Sequence, residues 1–254
     1  MRMASVGSEG VLLRTDSVAI SFGGVAALQG VDLMVDQGEL LGVIGPNGAG
    51  KTTLFNVITG AAHGHSGSVW FRGRDISRWP PHRRVCAGLV RSLQQAVVFP
   101  QLTVVQSLEV AARAAPSSDR AARGMWADPS GALEFTGLLP YANKPCTDLP
   151  HGTRKLLGIA MALATSPHLL LLDEPLAGLS GIEVQRVLGL CRMLNKQGLT
   201  VVIIEHNVGA VMTLCQRVIV LDYGIKIADA PPEDVRANAD VINAYLGAPE
   251  GDSE

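Results

Sequence analysis

Leu40-Leu-Gly-Val-Ile-Gly45-Pro-Asn-Gly-Ala-Gly50-Lys-Thr-Thr-Leu-Phe55-Asn-Val-Ile-Thr59 is the stretch from which the rest of the chain can be read. Residues 40–44 are a continuous apolar run that stops at glycine, as a strand buried on both faces does. Residues 50–59 then read as a helix. Between them, Gly45 to Thr52 fits G-x-x-x-x-G-K-[ST] in the strand-then-helix context that the motif requires. Glycines at 45, 48 and 50 let the backbone turn so that successive N–H groups face phosphate oxygens. The helix behind adds the positive end of its dipole. Gly45, Pro46, Asn47, Gly48, Ala49, Gly50, Lys51, Thr52 and Thr53 are therefore the expected nucleotide cradle. Lys51 is placed on the β- and γ-phosphates, and the Thr52 hydroxyl on Mg²⁺.

A second run, Leu169-Leu-Leu-Leu-Asp-Glu-Pro175, has the form of a buried strand that delivers Asp173 at its C-terminal edge. Ligands of parallel α/β sheets gather at that edge. Asp173 is the expected carboxylate of the Mg²⁺ shell, and Glu174 the group that polarises an attacking water. Two adjacent acids can face one site only if the chain turns, which Pro175 favours.

Outward from these runs, residues 11–21, 31–35, 68–72, 201–205, 218–221 and 225–228 read as strands. Residues 80–87 read as a helix with proline in its first turn. Thr103-Val-Val-Gln106 and Ser180-Gly-Ile-Glu183 have capping-box form and predict helices to about residues 114 and 196. A helix over 153–165 leads into the acidic strand, and 232–246 reads as two helical pieces. Residues 115–131, rich in Ala, Ser, Gly, Arg and Pro, read as a loosely packed helical connection. Strands alternating with helices imply an α/β fold with a largely parallel sheet.

Composition excludes several classes. The 254 residues are 47% hydrophobic and 17% charged, so the chain can bury a core. Lys plus Arg (21) balance Asp plus Glu (23), and no excess of basic charge serves a nucleic acid. No apolar run approaches the roughly 20 residues of a membrane span. Residues 1–10 are polar and do not read as a secretory signal. Cys86, Cys146, Cys191 and Cys215 form no Cys-x-x-Cys pair, and His63 and His65 around Gly64 read as a surface turn.

Taken together, the phosphate loop and acidic pair resemble the nucleotide-binding subunit of an ABC transporter over residues 10–247. That resemblance implies a P-loop NTPase fold of ABC ATPase type: a mostly parallel core sheet, an antiparallel β part and a helical subdomain at about 95–165. A short polar tail follows at 248–254. Further residues match in order. Phe22, in Ser21-Phe-Gly-Gly24, resembles the aromatic that stacks on adenine. Gln94, in Arg91-Ser-Leu-Gln94, resembles the Q-loop glutamine that serves Mg²⁺. Leu149-Pro-His-Gly-Thr153 stands where the Leu-Ser-Gly-Gly-Gln signature belongs, so Leu149, Gly152 and Thr153 join the expected ATP contacts. His206 resembles the switch histidine that holds the γ-phosphate and Glu174 in register.

The variety is narrower still. Phe22-Gly-Gly, Ile204-Glu-His206, Leu221-Asp-Tyr-Gly224 and Val241-Ile-Asn-Ala-Tyr-Leu-Gly247 resemble the ATPases of branched-chain amino acid importers. The resemblance implies an ATP- and Mg²⁺-dependent ATPase that works as a head-to-tail dimer with itself or a paralogue. It implies membrane permease subunits and a solute-binding protein as partners, for branched-chain or hydrophobic amino acids, urea or amides. It places the chain in the cytoplasm, on the inner face of the cell membrane. Departures are Pro150 for the signature serine, His151 for its first glycine, Thr153 for its glutamine and Ser180 for an aspartate. Loss of the serine hydroxyl leaves the amides of Gly152 and Thr153 and the helix start as donors. The alternatives are an ATPase of a non-importer ABC system, exporting lipid or polysaccharide, and a weakened regulatory subunit.

Overall fold

A computed structural model describes residues 10–92, 99, 101–114, 126 and 128–246. Its centre is a six-stranded sheet. β3 (Leu40–Ile44), β6 (Leu89–Ser92), β7 (Leu169–Asp173), β8 (Thr200–Ile204), β9 (Arg217–Asp222) and β10 (Ile225–Ala230) lie in the order β10-β9-β3-β8-β7-β6. Every pairing is parallel except the β9–β10 hairpin. A second, antiparallel sheet is formed by β1 (Val11–Phe22), β2 (Val25–Asp36), β4 (Ser66–Phe71) and β5 (Arg74–Asp75), in the order β2-β1-β4-β5.

The central strands are apolar throughout because each of their faces is covered. Leu41 and Val43 of β3, Leu169 and Leu171 of β7, and Val202 and Ile204 of β8 join one core. It also contains Leu54, Phe55, Val57 and Ile58 of α1 (Lys51–Thr59) and the inner face of the antiparallel sheet. Their neighbours Leu40, Ile44, Leu170, Leu172, Val201 and Ile203 point the other way, into the core shared with the later helices. The two-residue period of a strand thus divides each run between two cores. α1 lies between the two sheets, so the segment behind the phosphate loop is held from both sides.

α3 (Val104–Ala112), α4 (Pro129–Thr136) and α5 (His151–Ala164) pack on one another, and α6 (Gly181–Lys196) follows β7. α3 opens with the expected capping box of Thr103 and Gln106. At α6 the bonds differ from the simple cap: Ser180 donates both its N–H and its hydroxyl to Glu183 Oε2. α7 (Val208–Leu214), α8 (Pro232–Ala237) and α9 (Ala239–Leu246) complete the fold, with α2 (Pro81–Cys86) before β6. The four cysteines are free; Cys146, Cys191 and Cys215 are buried, and Cys86 is exposed. Cys86 Sγ lies 4.0 Å from the Ala114 carbonyl, so it faces the chain leaving α3.

Several sequence expectations are corrected. β2 starts at Val25 rather than 31, because its first half pairs with β1 through Phe22↔Val25 and Ile20↔Leu28. The helix expected at 153 begins at His151. Strands β5 and β6 and helix α7 were not expected. α4 emerges at the end of the supposed loose connection, capped by Asp128 with Pro129 in its first turn. Gln94, residues 115–125 and residues 247–254 lie outside the described residues.

Candidate functional site

The phosphate loop leaves β3 and is clamped from two sides. A Cβ on Gly45 would stand 2.1 Å from the Leu221 carbonyl oxygen, and one on Gly50 2.5 Å from that of Ala27. Both residues also have positive φ, 151° and 98°, where an L side chain is strained. Gly224 closes the clamp: its N–H donates to the Ala49 carbonyl (3.0 Å), while its own carbonyl accepts from Gln29 N–H (2.9 Å). Behind the loop, the amide of Gly45 faces the hydroxyl of Tyr245 in α9, whose burial pushes its pKa up to about 12. The final helix therefore reaches the first glycine of the loop.

Gly50 caps α1 in the left-handed region and offers no side chain to the helix amides. The first-turn N–H groups of α1 consequently have no acceptor within the helix and face the loop opening. Lys51 is 5% exposed and donates Nζ to the carbonyls of Gly45 (2.7 Å) and Pro46 (2.8 Å). Burial lowers its pKa, and the charges of Glu174 and Asp173 oppose that shift. Ala27, Asn47, Gly48, Ala49, Gly50, Lys51, Thr52, Thr53, Glu174 and His206 line one cavity of about 270 Å³.

Asp173 is the last residue of β7 and Glu174, the next, lines this cavity; the chain turns there as expected. Glu174 holds φ 47°, a left-handed backbone rare for a carboxylate residue. His206 Nε2 donates to Glu174 Oε1 at 2.8 Å, across 32 residues of sequence. Asp173 is 2% exposed; its Oδ2 accepts from Arg91 Nη2, and its Oδ1 has no hydrogen-bond partner among the described residues. A buried anionic oxygen of this kind suits a hard divalent cation with oxygen ligands.

Arg91 is the residue whose role the sequence did not disclose. It lies on β6, beside β7 in parallel register. Its Nη1 donates to Asn56 Oδ1 of α1 at 2.6 Å, so one guanidinium ties the acidic strand to the helix behind the phosphate loop. An arginine within an apolar four-residue strand was the available signal.

Phe22 stands at the tip of the β1–β2 hairpin and is 54% exposed, open to stack on a planar base. The signature segment offers backbone rather than side chains. Leu149 is buried in the core at 3% exposure, and Thr153 at 8%, so neither side chain is displayed. What the segment presents is the start of α5, where Pro150 occupies the cap position without a side-chain bond. A Cβ on Gly152 would stand 2.0 Å from Glu183 Oε1, so the end of the Glu183 side chain would have to swing aside.

A strand–phosphate loop–helix, with a paired carboxylate and histidine at the loop mouth, defines a P-loop nucleotide-binding protein. The family model of ABC transporters matches residues 28–177. That of branched-chain amino acid ATP-binding cassette transporters matches residues 226–251. The high-affinity branched-chain amino acid transport ATP-binding protein BraF of Pseudomonas aeruginosa is 34% identical over 249 residues, covering 93% of this chain and 98% of that protein. LivG of Escherichia coli, of the same description, is 35% identical over 249 residues with the same coverage. Among solved structures, a nucleotide-free ATP-binding cassette from an ABC transporter superposes with TM-score 0.83 at 29% identity, covering 94% of this chain and all of that one. The ADP conformation of another such cassette gives TM-score 0.79 at 28% identity, with 94% and 99% covered. The chain belongs to the ABC transporter ATP-binding family. Its members bind and hydrolyse ATP as subunits of transporters with membrane permeases.

Proposed function

We propose that this chain is the ATP-hydrolysing subunit of an importer for branched-chain or other hydrophobic amino acids, urea or amides. One observation carries the hydrolytic part: the Glu174–His206 hydrogen bond closes the same cavity that Lys51 and the loop amides line. The match of residues 226–251 and the BraF and LivG similarities support the importer class over export. The intact Glu174–His206 pair speaks against a weakened regulatory subunit.

Lys51 leaves the loop carbonyls for the β- and γ-phosphates, joined by the amides of residues 48–53. Phe22 stacks on the adenine. Thr52, Gln94 and Asp173 would hold Mg²⁺, which would supply positive charge to the phosphates. Glu174 Oε1 takes the proton of the attacking water, and His206 fixes the carboxylate and meets the γ-phosphate. The amides opening α5, at Gly152 and Thr153, cap the γ-phosphate held by a second ATPase subunit, the same chain or a paralogue. Closure on ATP and reopening after hydrolysis drive the permease, with a solute-binding protein delivering the cargo. The working unit is a single ABC ATPase domain over 10–247, with its helical subdomain at about 95–165. No helix among the described residues is long and apolar enough to cross a membrane. As the ATPase partner of a membrane permease, the chain works at the cytoplasmic face of the cell membrane.

The test is Lys51→Ala, measured by calorimetry with Mg²⁺ present. ATP binding should vanish while the fold persists by circular dichroism. Wild-type affinity in this variant would refute the assignment.

A further inference from the structure

The left-handed backbone at Glu174 does not hold itself, because an L residue gains nothing from φ 47°. Four hydrogen bonds fix it. Glu174 N–H donates to the Ile204 carbonyl at 2.9 Å, and Ala177 N–H to the Glu174 carbonyl at 3.3 Å. Lys155 Nζ, arriving from α5, donates to the same Glu174 carbonyl at 3.0 Å. Two residues on, Leu176 N–H donates to Glu205 Oε1 at 2.6 Å.

Glu205 is 3% exposed, and its other oxygen accepts from the N–H of His206 at 3.2 Å. One buried carboxylate thus joins the backbone after Glu174 to the backbone of the histidine that bonds the Glu174 side chain. Burial pushes the Glu205 carboxyl up and the Lys155 ammonium down, and the negative charge of Glu205 counters the fall at Lys155. Neither side chain lines the nucleotide cavity. Placing two charged groups under a turn is costly unless the turn is what they serve.

The geometry points to Lys155 and Glu205 as positioning residues for Glu174, holding the 174–176 turn so that its carboxylate meets the phosphate loop. This rests on the reading of Glu174 as the base. It also gives α5 two tasks: its first turn offers the signature amides, and its second turn supports the base.

The experiment uses the full chain with ATP and Mg²⁺. Lys155→Met removes the ammonium at nearly constant length. It should lower kcat at least tenfold with KM within threefold of wild type, and Lys155→Arg should recover kcat to within threefold. Glu205→Gln should give the same loss confined to kcat, and serves independently should Lys155→Met fail to fold. In single-turnover hydrolysis, Lys155→Met added to Glu174→Gln should slow the reaction less than twofold further. Wild-type kcat in either Lys155→Met or Glu205→Gln would overturn that residue's part. A further tenfold loss in the Glu174→Gln background would show action by another route and overturn the proposal. Near-normal turnover in Glu174→Gln alone would instead remove the underlying reading of Glu174.

Discussion

Arg91→Met perturbs the site at its least expected point. The substitution keeps an apolar stem of similar length in β6 and deletes the guanidinium that serves Asp173 Oδ2 and Asn56 Oδ1. The Asp173 side chain is 1% exposed, and its Oδ1 already has no hydrogen-bond partner among the described residues. Removing one member of a buried pair leaves the other charge uncompensated, at about 3–5 kcal/mol. Lys51 still acts on Asp173 electrostatically, which places the expected loss near the lower bound, about 3 kcal/mol. At about 2–4 °C per kcal/mol for a domain of this size, the melting temperature should fall by roughly 6–12 °C. Urea unfolding followed by tryptophan fluorescence measures the free energy directly. The double variant Arg91→Met/Asp173→Asn should recover most of the loss, because no buried anion remains. Saturating Mg²⁺ and ATP should stabilise Arg91→Met more than wild type, since a cation at Asp173 replaces the missing charge. A loss under about 1 kcal/mol, the worth of an exposed pair, would refute the reasoning.

Glu174→Gln should bind ATP as wild type does while turnover falls by roughly 10²–10⁴. With hydrolysis blocked, size-exclusion chromatography with Mg²⁺ and ATP should show a dimer that ADP does not produce; a monomer with lost turnover would indicate a paralogous partner. Gly50→Ala should abolish ATP binding, because its Cβ would press on the Ala27 carbonyl at 2.5 Å from a φ of 98°; retained affinity by calorimetry would show that the loop can shift. Asp229 tests pH dependence. Burial pushes its carboxyl up, but the Arg217 bonds at 2.5 and 3.1 Å and the Lys226 bond hold its pKa below the usual 3.8. A depressed carboxylate stabilises the fold above its unfolded pKa and loses that contribution as pH falls through its folded one. Asp229→Asn should therefore cost about 1.5–3 kcal/mol at pH 7, with the gap from wild type closing below pH 3.8 in urea titrations.

The parts of the site that lie consecutively in sequence were legible there. Gly45 to Thr53 form one loop and one helix turn, and Leu169 to Glu174 one strand and its edge, so a linear reading finds them complete. The Glu174–His206 pair came from a resemblance, and the structure supplies its 2.8 Å bond. Residues acting across strands were not legible. Arg91 meets Asp173 only because β6 and β7 are neighbours, although 82 residues separate them. Lys155 and Glu205 converge on Glu174 from two other elements, and the φ of Glu174 has no local sequence sign. Among the elements, the first half of β2 carries little β-propensity in Val25-Ala-Ala-Leu-Gln29 and is extended by its pairing with β1. α4 is short and preceded by a low-periodicity stretch; its Asp128 cap and the edge contact of Trp126 with Phe135 (5.3 Å) are tertiary facts. Leu149 and Thr153 were expected beside the nucleotide by their position in the signature; both side chains are buried, which leaves the backbone at the start of α5 as what this segment can offer.

The distribution of thiols makes this protein ready for site-directed spectroscopy without engineering. Cys191 and Cys215 are buried with pKa values pushed up by desolvation, to about 12 for Cys191, and Cys146 is fully enclosed. Alkylating reagents attack the thiolate, so in the folded chain a maleimide fluorophore should couple at Cys86. That sulfur lies on the seam between the end of α2 and the chain leaving α3. A dye there would report in real time whether the helices around α5 rotate against the nucleotide-binding core as ATP arrives and departs.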